Sequence, residues 1–250
     1  SIGGLLIAPP ASGPEVCCDV SFCSCQFLNN TLNPVNGCAG VAVWGTDHVT
    51  FYNCSFTNHT GAGYSPYYGL FAFSAHNLAL YNSTFVNNRD TAVGLILSYQ
   101  PTVVNCTLHE SLFGLPLEYS TRAYLANNTL DATYNLGVFG SELAHFLHAI
   151  EPTNVDPQTG KRTYYLVNVS GIVVDAADAG FVGLVNSDFC KVEGIQPERH
   201  IQGVVVAFSR YSSVHNIAVI RCFFGAYLVG SGNSLVDRCG FTGLPSAISL

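Results

Sequence analysis

Apolar and polar positions alternate along this chain in short bursts. Val41 and Val43 alternate with Ala42 and Trp44, and Val49 and Phe51 alternate with Thr50 and Tyr52. A period of two predicts strands. The first burst, Gly40-Val41-Ala42-Val43-Trp44, has echoes led by Gly69, Gly94, Gly114, Gly171, Gly203 and Gly225, with Asn135 in the same slot. The second, closing on Asn53-Cys54-Ser55-Phe56, is echoed by tetrapeptides starting at Asn82, Asn105, Asn127, Asn186, Arg221 and Arg238. Units of roughly 20 to 30 residues, each of two short strands, predict a solenoid. No segment between them has the length and period of a crossover helix. Each strand is therefore expected to stack on its equivalent in the next coil, about 4.8 Å away, in parallel sheets.

The expected fold class is all-β, a parallel β-helix of about nine coils. Phe27, Phe56, Phe85, Leu108, Leu130, Phe189, Phe224 and Phe241 are expected to share one internal column. Residues 1–16 read as a lead-in to the first coil. Residues 151–163 are polar and turn-rich and are expected to project as a loop from one corner. One domain spans 1–250, and the lack of any methionine suggests a processed chain or a piece of a longer one.

Composition narrows the function classes. Hydrophobic residues make up 48% and charged residues only 10%, against a typical quarter charged. A net charge of −7 gives nucleic-acid binding no support. No apolar run approaches the roughly 18 residues of a membrane span. The ten cysteines contain no Cys-x-x-Cys pair, so no zinc site and no cofactor is implied. Cys25, Cys54, Cys106, Cys222 and Cys239 are expected to point inward as small fillers. A bond between adjacent coils, such as Cys222 with Cys239, is within geometric reach, and Cys17, Cys18, Cys23 and Cys38 are the other candidates to pair. Buried thiols suit a reducing compartment. Asn29, Asn53, Asn58, Asn82, Asn105, Asn127 and Asn168 each head an Asn-x-Ser/Thr triplet. Most are read as structural corner residues, and the Asn53, Asn82, Asn105 and Asn127 side chains are expected to be hydrogen-bonded between coils and free of sugar.

Aligning the coils places Asp47, His76, Pro101, Thr121, Glu142, Asp178, Arg210 and Gly232 in one outside column. Glu142, Asp178 and Arg210, with Asp175 beside them, are the candidate catalytic residues. Paired carboxylates suit glycoside hydrolysis, and an arginine can stabilise developing charge in a lyase. The alternative is a salt-bridged column on a wet face. His145 and His148 are a candidate metal pair. Trp44, Phe73, Tyr99, Tyr119 and Phe139 are candidates for ligand or subunit contact, by stacking on sugar rings or on a neighbouring copy.

The run Val49-x-Phe51-x-Asn53-Cys54-x-Phe56 resembles the right-handed, pectin-lyase-like β-helix superfamily, which implies a right-handed coil. That superfamily's enzymes carry Gly-His-Gly, Asn-Thr-Asp or adjacent Asp-Asp signatures, and none occurs here. The Cys-x-Phe endings at Cys54, Cys222 and Cys239 also resemble the adenoviral large early-region protein and the related reptilian-adenovirus capsid knob. The resemblance implies a structural or attachment β-helix of a virion or extracellular surface. Such a protein is expected to be a homotrimer, to meet other capsid proteins or a glycan, and to carry out no catalysis. The alternative is a polysaccharide hydrolase or lyase of the same fold.

Overall fold

The computed structural model describes residues 4–9, 19–32, 38–61 and 67–249. One coil shows how the pattern becomes structure. The strand Cys38–Trp44 leads through a corner to Val49–Tyr52, then through a second corner to Ser55–Thr57. Each strand pairs in parallel with its equivalent in the next coil: Val41 with Leu70, Phe51 with Leu80, Phe56 with Phe85. Stacking builds a six-stranded first sheet (Leu5–Ile7 to Tyr134–Phe139), a six-stranded second sheet (Val20–Cys23 to Ala149–Ile150) and a five-stranded third sheet (Gln26–Leu28 to Thr129–Asp131). The glycine slot holds Ala92 in the fourth coil, because Val93 pairs with Leu70 and Gly94 with Phe71.

The corners explain the asparagines. Asn53, Asn82, Asn105 and Asn127 all have φ between 49° and 56°, a left-handed conformation that asparagine tolerates and bulkier residues resist. Their backbone amides bond the next coil, as from Asn53 N to Tyr81 O at 3.0 Å. Their side chains are exposed. The cross-coil amide ladder runs instead at the following corner, from Asn87 to Asn58 to Asn29. One residue after each of the four, the chain turns inward. Cys54, Ser83, Cys106, Asn128 and Asn154 form a buried column there. Cys54 N donates to Ser83 Oγ (3.0 Å), Cys106 N to Asn128 Oδ1 (2.9 Å), and Asn128 Nδ2 to Asn154 Oδ1 (2.8 Å). Cys54 and Cys106 thus point inward as expected, but as members of a polar ladder. The Cys54 thiol donates to Phe22 O at 3.3 Å. Cys222 is buried and Cys239 partly so; neither is bonded to the other, since both are free thiols. Cys23 is also free, while Cys17, Cys18 and the Cys38 side chain lie outside the described residues.

The internal column runs from Phe27 through Phe56, Phe85 and Leu108 to Leu130. There it stops. Phe189 is 62% exposed, and Phe224 starts a strand of a different sheet, while Phe241 packs in a second core. The reason is that left-handed corners recur several times per coil. Asn186-Ser187-Asp188-Phe189 mimics the Phe56 motif but follows a first-sheet type of strand.

After Phe139 the chain changes direction. A 3₁₀ turn, Leu143–Phe146, buries Phe146. Residues 151–163 do not project as a whole. Asn154 and Asp156 are buried and Val155 bridges to Thr129, so the middle of this stretch forms the third side of the last coil, while Glu151, Pro152 and Thr153 are exposed and the tip at 157–160 meets water. A second block follows, with a five-stranded sheet from Arg162–Val167 to Ser246–Ser249. This sheet is separate from the first. One face, with Val182, Leu184, Val204 and Val206, fills its own core; the other, with Phe181, Val185, Val205 and Ala207, joins the core of the first block. Hence Ala179–Val185 and Gln202–Ala207 are buried at every residue. The segment before Gln202 closes the first sheet's edge, through Asn135 N to Arg199 O and Ile201 N to Leu136 O. The bend leaves about eight turns against the nine expected. No helix among the described residues is long and apolar enough to cross a membrane.

Phe56 and Phe85 stack at 4.5 Å with no exposure, so Phe85→Ala should cost roughly 3–5 kcal/mol in urea unfolding. Three inner histidines accept backbone amides at Nδ1: His59 from Asn30, His148 from Ala123 and His200 from Leu136. Burial lowers their pKa values to about 4, about 4 and about 3. The unfolded chain takes up these protons near pH 6.5 and the folded chain does not. Stability is therefore retained above pH 6.5 and lost as pH falls toward 4, at about 1.4 kcal/mol per pH unit for each histidine. Unfolding midpoints measured from pH 7 to pH 4.5 should fall steeply below pH 6.

Candidate functional site: a groove in the elbow

Outward positions of the first sheet fall in register as Trp44, Phe73, Ile96, Glu118 and Phe139. Strand alternation puts them there: Leu117 and Val138, their neighbours in sequence, point into the core. At its near end this stripe meets water, where Trp44 is 50% exposed and contacts Phe73 at 4.8 Å, while Phe73, Ile96, Glu118 and Phe139 are half-buried. At its far end the second block leans over it. Ile201, Phe223 and Phe224 face Tyr68, Thr91, Phe113, Pro116, Glu118 and Phe139 across a cavity of about 300 Å³. The walls are aromatic, with Phe223 edge-on to Phe113 at 5.6 Å and Phe224 edge-on to Phe139 at 6.0 Å. Gly94 lets the Tyr68 ring lie flat on the sheet, since a Cβ there would run into it.

Glu118 is the one charged residue lining this groove. Burial raises its pKa. No ion pair to it forms among the described residues, which include all nine Lys and Arg. Burial, then the charges of Glu118 and Asp90, push the Tyr68 hydroxyl up to about 12. Asp90 itself is engaged, its Oδ2 accepting from Tyr67 N at 2.9 Å. The groove therefore offers one poorly solvated carboxylate amid rings.

The residues proposed from sequence are dispersed. Asp47, His76 and Thr121 do share a column, but Tyr99 fills the slot assigned to Pro101. The Asn77 amide, followed by His48, holds the Asp47 carboxyl below its usual range. Glu142 precedes the 3₁₀ turn, exposed, its amide donating to His145 Nδ1. Asp178 accepts from the Tyr164 hydroxyl at 2.8 Å and pairs with Arg162 at 3.4 Å. Arg210 bonds Asp188 through its amide at 2.7 Å. Asp178 and Asp188 bracket the seven-residue strand Ala179–Val185, so Asp178 and Arg210 are roughly 20 Å apart. Glu142 lies in the other block, and Asp175 is exposed on its own corner. Asp178 precedes and Arg210 follows paired strands of one sheet, so the two never shared a slot, and the bend after Phe139 separates Glu142 from both. His145 and His148 use their Nδ1 atoms on separate backbone amides, and no group of three or more metal-ligating side chains occurs among the described residues. Tyr99 lies under Arg122, which donates to its hydroxyl at 3.0 Å, and Tyr119 is edge-on to His145.

Sequence reasoning missed Glu118, Tyr68, Phe113, Phe223 and Phe224. A signal was present for Glu118, a lone charge at an outward position of Gly114-Leu115-Pro116-Leu117-Glu118. None was present for Phe223, whose placement depends on the bend.

Charge concentrates instead at the junction. Arg199 bonds Asp131 and Asp156, both at 3.1 Å, and Ala132 O at 2.7 Å; Glu198 meets Lys161 at 3.6 Å and Arg221 at 3.5 Å. Arg199 and Asp156 are buried. Removing one partner strands a buried charge, so Arg199→Ala should destabilise by roughly 3–5 kcal/mol, measured by chemical unfolding.

Stacked parallel strands, left-handed corners and an inward polar ladder define a parallel β-helix. The chain belongs to the right handed beta helix family, whose model matches residues 17–143. Its coil is therefore right-handed. Among solved structures it is similar to the A-module of mannuronan C-5 epimerase AlgE6 of Azotobacter vinelandii, with 14% identity over 86% of this chain and 76% of that one (TM-score 0.37). It is also similar to PfbA, a surface adhesin of Streptococcus pneumoniae, at 10% identity over 99% and 77% of the two chains (TM-score 0.37). A third is the enzymatically active domain of tailspike protein 2 of bacteriophage CBA120, at 9% identity over 86% and 35% (TM-score 0.36). No curated protein matches the chain.

Proposed function

We propose that this chain is a non-catalytic surface or attachment β-helix, a capsid, spike or fibre component that holds a ligand in the elbow groove. The observation that carries this reading is the solitary carboxylate among rings. Glycoside hydrolysis uses two carboxyl groups flanking the scissile bond, and the groove lining offers Glu118 alone. The nearby Asp90 is spent on a backbone amide. Rings without a second acid or base suit holding a ligand more than cleaving one. Trp44 and Phe73 extend the same stripe into water, which supports contact with a glycan or with another copy in a closed homotrimer. A virion or extracellular surface is the setting in which such contacts are used.

The rival reading is a polysaccharide hydrolase or lyase. It is favoured by the raised pKa of Glu118, a property of general acids. Wild-type protein incubated with neutral and acidic polysaccharides should release no reducing ends and no unsaturated products. Light scattering should show an oligomer unchanged by Glu118→Gln or Asp178→Asn. A monomer that cleaves one of these polymers, with cleavage lost in either variant, would overturn the proposal.

A further inference from the structure

We propose that the elbow groove is a receptor for a small organic ammonium ion, its carbon body held by Phe113, Phe139 and Phe223 and its charge matched by Glu118. This rests on the reading of the groove as a binding site without catalysis. The ligand class follows from what the groove leaves unsatisfied. Glu118 stands in an outward column between Ile96 and Phe139, amid aromatic walls. A carboxylate withdrawn from water costs free energy unless a counter-charge meets it. Among the described residues no ion pair to Glu118 forms. The counter-charge comes from outside.

Three other ligand classes fit less well. An anion is repelled by Glu118 and by a net charge of −7. A neutral apolar molecule would desolvate Glu118 further and return nothing. A neutral sugar needs several hydrogen-bond partners for its hydroxyls, and the lining offers only Thr91, the Tyr68 hydroxyl and Glu118 as polar side chains. An ammonium ion on an apolar body uses both features present. Ring faces attract cations, most strongly when water is excluded, and a carboxylate among them completes the pairing. A cavity of about 300 Å³ is of the size that takes a small molecule. Burial raises the Glu118 pKa, and a bound cation would lower it again.

The test is calorimetric titration of the whole chain with three probes of one shape: 2-phenylethylammonium, 2-phenylethanol and 3-phenylpropionate. The ammonium should bind saturably and at least tenfold more tightly than the alcohol, with the carboxylate weakest. Glu118→Gln, on an outward position, should abolish that preference, weakening the ammonium and not the alcohol. Equal affinity for ammonium and alcohol, no saturable ammonium binding, or a preference that survives Glu118→Gln would overturn the proposal. Should the variant fail to fold, the wild-type comparison of ammonium with alcohol decides by itself. Polysaccharide turnover would remove the underlying non-catalytic reading, whereas absence of a cation preference without turnover removes only this inference.

Discussion

Every coil in this protein depends on its neighbour for the hydrogen bonds of its backbone. A strand of three residues, such as Thr84–Val86, has no stability alone; it persists because it is bonded on both sides, to Ser55–Thr57 and to Thr107–His109. That requirement extends to the corners, where the chain must turn and still present an N–H or C=O to the coil above or below. Left-handed residues solve it. They reverse the peptide plane within one residue, and the side chain that follows points inward to bond a backbone group of the next coil. The asparagines, buried serines and cysteines serve this constraint, which is why so polar a set of residues lines the inner corners of a chain so low in charge.

A coil with no next coil to pair with presents an open sheet edge. After Tyr134–Phe139 the chain covers that edge itself. The 3₁₀ turn places Phe146 under the first block, where it meets Phe208 and Tyr227 of the second. The second block then lays one face of its five-stranded sheet across the core. Two apolar faces per strand, uncommon outside fully covered parallel sheets, follow from this arrangement. The buried ion pairs of Arg199 tie this residue of the second block to Asp131 and Asp156 of the first.

The groove is a by-product of that crossing. A straight solenoid would leave Glu118 on an open face, solvated and ordinary. The bend brings Phe223 and Phe224 over it, withdraws water and changes the chemistry of a residue whose own coil is regular. The interruption of regularity thus shapes the groove, while the regular coils supply its frame.

The sequence by itself determined the strands, their parallel stacking and the inward column from Phe27 to Leu130. Those features depend on local alternation and on a repeat that each coil satisfies with its nearest neighbours. The left-handed asparagines were legible for the same reason. The position of Phe189, the slot of Tyr99, the dispersal of Glu142, Asp178 and Arg210, and the groove around Glu118 were decided only by the tertiary structure. Asn-x-x-Phe fits more than one corner of a coil, so the motif does not say which. The change of axis after Phe139 arises from contacts such as Gly137 against Ile201 and Tyr165 against the carbonyl of Phe146. Residues so far apart in the chain leave no trace in a pattern with a period of two.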